Sequence, residues 1–255
     1  MNKDLFAAYK PTGISPYDLI KNLKYKHPKL RNKKIAYAGR LDPMAEGVVL
    51  LIKGKELKNF HNHLKYDKKY KAEIIFGFST DSYDVLGIPE YNKLTKTSRK
   101  KVEENLEKFK GVYEFEIPPF SSYKIDGKPL FKWAREGNLD QIKIPKKKVD
   151  VYDIVVNNVT KINKYDLKKE INHKIENVIG DFRQEEILKK WNKLLAKRDI
   201  KNEFSTVSIT ISCASGCYIR SIANELGQLL NINSFLFHLT RTEVGEWGIK
   251  KAINP

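Results

Sequence analysis

The chain has 255 residues, with 48 Lys+Arg against 31 Asp+Glu and a formal net charge of +17. That length can bury a sizeable core without metals or disulfides, and the positive excess favours polyanionic partners, nucleic acid ahead of anionic membrane surface. Cys213 and Cys217 match neither a four-ligand zinc pattern nor a CxxC redox motif, and the longest aliphatic run, residues 48–52, is too short to cross a bilayer.

The N-terminus, Met1-Asn2-Lys3-Asp4-Leu5-Phe6, lacks the basic-then-apolar layout of a secretory signal, so a cytoplasmic, reducing location is expected. Ser15-Pro16-Tyr17-Asp18 reads as a helix start: a capping serine, a proline at the first helical position and an acid at the positive end of the dipole. Leu19, Ile20 and Leu23 form its apolar stripe, and His27-Pro28 should end it. Residues 70–78 alternate as a strand, followed by a polar loop to Gly87. Val102, Leu106 and Phe109 mark an amphipathic helix that stops at Gly111, and residues 130–135 a short helix closed by Gly137.

The basic run at 143–148 contains Pro145 and is expected to be an exposed loop; residues 149–160 should be a strand. A helix is predicted over 181–197, capped by Asp181, with Ile187, Leu188, Trp191, Leu194 and Leu195 on one face. A strand over 206–212 and a helix over 218–230 complete the pass. No repeats and no Gly/Ser-rich linker divide the chain. Strands and helices alternate without a steady βαβ rhythm, which favours α+β over a doubly wound sheet. One domain over 1–255 is expected, with a helical insertion at 161–204. His61-x-His63 suggests a surface pair rather than a metal site, and no metal is expected.

The segment Ala38-Gly39-Arg40-Leu41-Asp42-Pro43-Met44-Ala45-Glu46-Gly47 places one carboxylate in a turn just before a hydrophobic strand, a plausible way to present a catalytic group. On its own, an Asp-Pro turn that caps only local backbone would be the better explanation.

This segment resembles the signature of the tRNA pseudouridine-55 synthase family, in which the aspartate is catalytic. Five further blocks follow the family's order. Tyr9-Lys10-Pro11-Thr12-Gly13 is similar to its opening Lys-Pro-x-Gly, and Lys68-Lys69-Tyr70-Lys71-Ala72 with Thr80-Asp81-Ser82-Tyr83-Asp84 to its Lys-x-Tyr-x-Ala and Thr-Asp block. Pro118-Pro119-Phe120-Ser121-Ser122-Tyr123-Lys124 resembles its Pro-Pro, aromatic-Ser, Lys block. Cys213-Ala214-Ser215-Gly216-Cys217-Tyr218-Ile219-Arg220 and Leu239-Thr240-Arg241-Thr242 resemble its last two.

The resemblance implies an α+β pseudouridine synthase fold with a central mixed, mostly antiparallel sheet flanked by helices and loops. It implies an isomerase acting on uridine in the tRNA T-arm stem-loop, without cofactor and as a monomer. Asp42, Tyr70 and Arg220 would be catalytic: Asp42 as nucleophile or base, Arg220 pairing with it to keep it ionised, and Tyr70 stacking on the extruded uracil. Lys10, Tyr37, Gly39, Arg40, Lys124 and Tyr218 would contact RNA, while Asp81 and Asp84 order their loop. Tyr37 stands where the family usually has histidine, which should alter T-loop contacts but not the reaction. The chain stops at Pro255, just past the closing block, so the small C-terminal RNA-binding module of many relatives is expected to be absent. The competing readings are a catalytically idle RNA-binding protein on the same fold, disfavoured by Asp42 and Arg220 together, and a subunit of a guide-RNA-dependent synthase.

Overall fold

The computed structural model describes residues 4–94 and 96–255; residues 1–3, part of the N-terminal stretch read above, lie outside it. In chain order the strands are β1 (Leu5–Lys10), β2 (Ile35–Ala38), β3 (Ala45–Lys53), β4 (Lys68–Phe76), β5 (Phe78–Thr80), β6 (Pro89–Tyr91), β7 (Gly111–Glu116), β8 (Lys124–Ile125), β9 (Lys128–Pro129), β10 (Lys146–Asn163), β11 (Glu203–Cys213), β12 (Ser234–Val244) and β13 (Trp247–Gly248). The helices are α1 (Pro16–Lys26), α2 (Phe60–Leu64), α3 (Arg99–Leu106), α4 (Leu130–Arg135), α5 (Lys164–Glu176), α6 (Gln184–Leu195) and α7 (Ile219–Leu229).

One nine-stranded sheet runs in the order β1-β3-β12-β4-β11-β10-β7, with β2 on β3 and β13 on β12. Within it only β12 and β3 run parallel, over Leu239↔Ala45 to Arg241↔Gly47. The fold is therefore α+β around a mixed, mostly antiparallel sheet.

Both faces of the central strands are covered, and period-two alternation decides which residue serves which face. On β4, Tyr70, Ala72, Ile74 and Phe76 join the core beneath α1, α3 and α7. Ile75 and the following Phe78 turn to the opposite side, where α5 and α6 pack. There Trp191 meets Phe78 and Phe235, each at 5.4 Å between ring centroids, so the Trp191 stripe is core. Residues 161–204 thus hold the end of β10, the α5–α6 hairpin and the start of β11. Among the described residues no helix is long and apolar enough to cross a membrane.

Helix α1 starts as its sequence specifies: Ser15 Oγ accepts from the Asp18 amide, Asp18 Oδ2 accepts from the Ser15 amide, and Pro16 opens the first turn. Three expectations fail for identifiable reasons. The predicted 143–148 loop is in part strand: Lys146 pairs with Glu116 and Lys148 with Glu114 on β7, opposite charges facing one another across the ladder. The helix predicted from Asp181 begins at Gln184, because Arg183 takes a left-handed φ of 63°; Asp181 sits before that turn, its Oδ1 accepting from the Arg183 amide at 3.3 Å and its Oδ2 pairing with Arg135. His63 is buried rather than a surface residue, with Nε2 2.8 Å from Glu56 Oε2 and Nδ1 3.3 Å from the Tyr66 hydroxyl.

Candidate active site

The Asp42 loop joins β2 to β3. Gly47, at φ 111°, closes it where β3 meets β12; a Cβ there would lie 2.2 Å from the Arg241 carbonyl oxygen, so only glycine permits this approach. Two buried cations grip the loop. Arg241 on β12 donates from Nε to Val48 O at 2.7 Å, from Nη1 to Arg40 O at 3.2 Å and from Nη2 to Gly39 O at 3.1 Å. Lys10, at the end of β1, donates from Nζ to Ile14 O at 2.8 Å and to Pro43 O at 3.4 Å. Burial pushes the Lys10 ammonium down to about 7, although Asp42 and Glu46 favour its charge.

Asp42 stands at the front of this clamped loop. Its Oδ2 accepts from Arg220 Nε at 3.1 Å; the arginine side chain is 3% exposed and the aspartate 34%. The other Arg220 nitrogens donate to backbone carbonyls, Nη1 to Ser82 at 2.9 Å and Nη2 to Phe120 at 3.0 Å. Arg220 is the second residue of α7, where the helix dipole disfavours a cation. Burial also works against its charge, and Asp42 and Asp84 more than offset this, leaving it raised.

Asp84 is itself buried. Burial pushes its carboxyl up to about 6 against the pull of Arg220, and Oδ1 accepts from Ser82 Oγ at 2.8 Å and from the Leu86 amide at 2.9 Å. Asp81 Oδ1 likewise accepts from the Ile88 amide at 2.8 Å. Both aspartates thus order the loop that presents Ser82 O to Arg220.

A cleft of about 510 Å³ opens over Asp42, within the range of roughly 300–1,000 Å³ usual for ligand sites. Tyr70, Arg40, Tyr218, Phe182 and Leu239 are among its walls. Tyr70 is 7% exposed. Burial pushes its hydroxyl up to about 12, with Arg241 acting the other way, so at neutral pH it is an uncharged phenol with an apolar ring face. Beside the cleft, Tyr218 also borders a recess of about 280 Å³ lined by Ile117, Tyr123, Lys146 and Lys147.

Asp42, Tyr70, Arg220, Gly39, Arg40 and Tyr218 therefore converge on one cleft. Three other candidates lie elsewhere. Lys10 has no exposed surface and sits behind the loop, Tyr37 is half-buried on β2 against the main core, and Lys124 is exposed on β8. Sequence reasoning assigned no role to Arg241, Phe182 or Arg183. Arg241 had a signal: it falls two residues after Leu239 on a strand and so shares its inward face.

The family described as TruB family pseudouridylate synthase (N terminal domain) matches residues 27–177. A tRNA pseudouridine synthase B of Mesoplasma florum is 32% identical over 100% of this chain and 73% of its own length. One of Malacoplasma penetrans is 30% identical over 97% of this chain and 88% of its own. Among solved structures, a chain of a Cbf5-Nop10-Gar1 complex superposes with a TM-score of 0.61 at 16% identity, covering 98% of this chain and 52% of that one. At that identity the likeness concerns the fold alone, and this chain spans about half of the solved one. With a family match over more than half its length and relatives aligned nearly end to end, this chain belongs to the TruB family of pseudouridylate synthases.

Proposed function

We propose that this chain is a tRNA pseudouridine synthase that isomerises the T-loop uridine at position 55, acting as a cytoplasmic monomer through a single catalytic domain. The observation that carries the reading is the Asp42–Arg220 pair beneath a cleft walled by Tyr70 and Tyr218. The isomerisation breaks the N1–C1′ bond, turns the uracil in place, joins C5 to C1′ and returns the C5 proton to N1, so atoms balance without a co-reactant. A loop carboxylate ion-paired on one oxygen can serve as the nucleophile or base that starts this sequence. Among the described residues Asp42 Oδ1 has no hydrogen-bond donor, which leaves it available to substrate.

The uridine must leave the RNA stack to reach Asp42, at a cost of a few kcal/mol. Stacking on an aromatic ring contributes about 1–3 kcal/mol per base, so Tyr70 offsets much of that cost, and its hydroxyl, in the same cleft, would relay the C5 proton. Gly39, Arg40 and Tyr218 line the entry, while Lys10 acts through the loop it holds. Tyr37 and Lys124, outside the cleft, would meet RNA beyond the flipped nucleotide. The exposed Lys146, Lys147 and Lys148 supply phosphate partners.

The test is a T-arm stem-loop assay in which pseudouridine is mapped by chemical adduct and primer extension. Wild-type protein should form product at the T-loop uridine. Asp42→Asn should form none, a loss of at least about 10⁴-fold, while still binding the RNA. Full activity in that variant would remove Asp42 from the reaction, and binding without product in the wild type would favour the idle RNA-binding alternative.

A further inference from the structure

The guanidinium of Arg220 is seated by two backbone carbonyls from separate segments, Ser82 O and Phe120 O. Neither segment belongs to the element that carries Arg220, so the direction in which its Nε points at Asp42 depends on where those two segments sit relative to one another. One side chain touches both. Arg183, in the connection between α5 and α6, donates from Nη1 to Asp81 Oδ2 at 2.9 Å and from Nη2 to Asp81 Oδ1 at 3.3 Å. Its guanidinium also lies over the Phe120 ring, 4.2 Å from the centroid. Asp81 is the residue before Ser82, and Phe120 is the residue whose carbonyl Arg220 holds.

The backbone at Arg183 takes an unfavourable conformation. Its φ of 63° lies in the left-handed region, which is unfavourable for a non-glycine residue and persists where surrounding bonds over-determine it. Here they do: the Arg183 amide donates to Asp181 Oδ1 at 3.3 Å, and the Phe182 amide to Gln184 Oε1 at 2.7 Å. A cavity of about 70 Å³ joins the parts, with Asp42, Ser82, Asp84, Phe120, Arg183 and Arg220 all on its wall.

We propose that Arg183 is a positioning residue for the reaction: by holding Asp81 with its forked face and Phe120 with its flat one, it fixes the two carbonyls that aim Arg220 at Asp42. The helical hairpin between β10 and β11 thereby becomes a working part of the active site. This rests on the reading of Asp42 as the reacting carboxylate. A lysine cannot reproduce the contact, because it lacks the planar fork that matches a carboxylate and stacks on a ring.

The experiment measures kcat and KM for the T-arm stem-loop, with thermal midpoints, for wild type, Arg183→Ala, Arg183→Lys, Asp81→Asn and the Arg183→Ala/Asp81→Asn double variant. Wild-type product and no product from Asp42→Asn in the same assay would uphold the underlying reading independently. Arg183→Ala should lower kcat by roughly tenfold, since small misplacements of reacting groups are costly, with KM and midpoint close to wild type. Arg183→Lys should fall nearly as far, and the double variant no further than the worse single one, because both remove the same contact. An unchanged kcat, a raised KM with kcat intact, or full rescue by lysine would each overturn the proposal. If Arg183→Ala fails to fold, Asp81→Asn, which keeps an acceptor for the Ile88 amide, carries the test: its kcat should fall similarly, and an unchanged value overturns the idea.

Discussion

The two sides of the cleft are built on different electrostatic principles. On one side, the Asp42 loop is held by Lys10 and Arg241, both at or below 1% exposure and both donating to backbone carbonyls. On the other, α4, which follows the Phe120 segment, is tied to the α5–α6 connection by an ion pair at the surface, Arg135 with Asp181, at 31% and 83% exposure. Buried donors on carbonyls are insensitive to salt and costly to remove. Surface pairs are screened and individually weak. The contrast describes a fixed wall that carries Asp42 facing an adjustable one, a division that suits the entry of RNA in the proposed reaction.

Removing the fixed wall's clamp should have the largest effect. Arg241→Met strands the carbonyls of Val48, Arg40 and Gly39. At about 1–3 kcal/mol for each buried unsatisfied group, partly relieved by relaxation, urea unfolding should show a loss on the order of 3–5 kcal/mol. Single-turnover rates should drop by about 10²-fold as Asp42 drifts. A stable, active Arg241→Met would show that the loop holds its shape unaided.

An intermediate effect is expected from the buried carboxyl behind Arg220. The folded Asp84 is raised from 3.8 to about 6 by burial, so its favourable contribution is complete below the unfolded value and is lost as pH rises through the folded one. Asp84→Asn lacks this titration. Between about pH 3 and 7, and most steeply between about 4 and 6, the stability difference should therefore move in the variant's favour, by up to about 3 kcal/mol for a shift of roughly two units. Thermal midpoints in matched buffers measure it, and a difference that stays flat with pH would mean Asp84 titrates as an ordinary carboxylate.

The smallest effect belongs to the adjustable wall. Arg135→Ala removes a pair whose aspartate is mostly exposed, so the thermal midpoint should barely move, and any change should vanish at high salt. Any kinetic change should appear in KM for the stem-loop, by a few-fold at most. A large, salt-independent loss would place Arg135 with the fixed wall instead.

Local chemistry made much of this legible in advance. The α1 capping box, the alternation of β4 and the Trp191 stripe each involve residues within a turn or two of one another, where propensity and periodicity act directly. The order of the motif blocks located the Asp42 loop and the Arg220 helix. The errors came from partners distant in sequence. Nothing near Lys146 reveals that Glu114 and Glu116 await it on β7, and nothing near Asp181 reveals Arg135, which pairs with that side chain.

The sequence by itself determined which groups could do chemistry: a carboxylate in a Gly-Pro-Gly turn, an arginine opening a helix, a tyrosine on a strand. Only the tertiary structure decided how they are held. Lys10, read as an RNA contact, lies behind the loop with its ammonium on carbonyls, and Arg183 reaches Phe120 and Asp81 across a hairpin inserted between two strands. A side chain's identity fixes what it can donate or accept. Which carbonyl, ring or carboxylate it meets is set by sheet order and burial, and those emerge only when distant segments pack together.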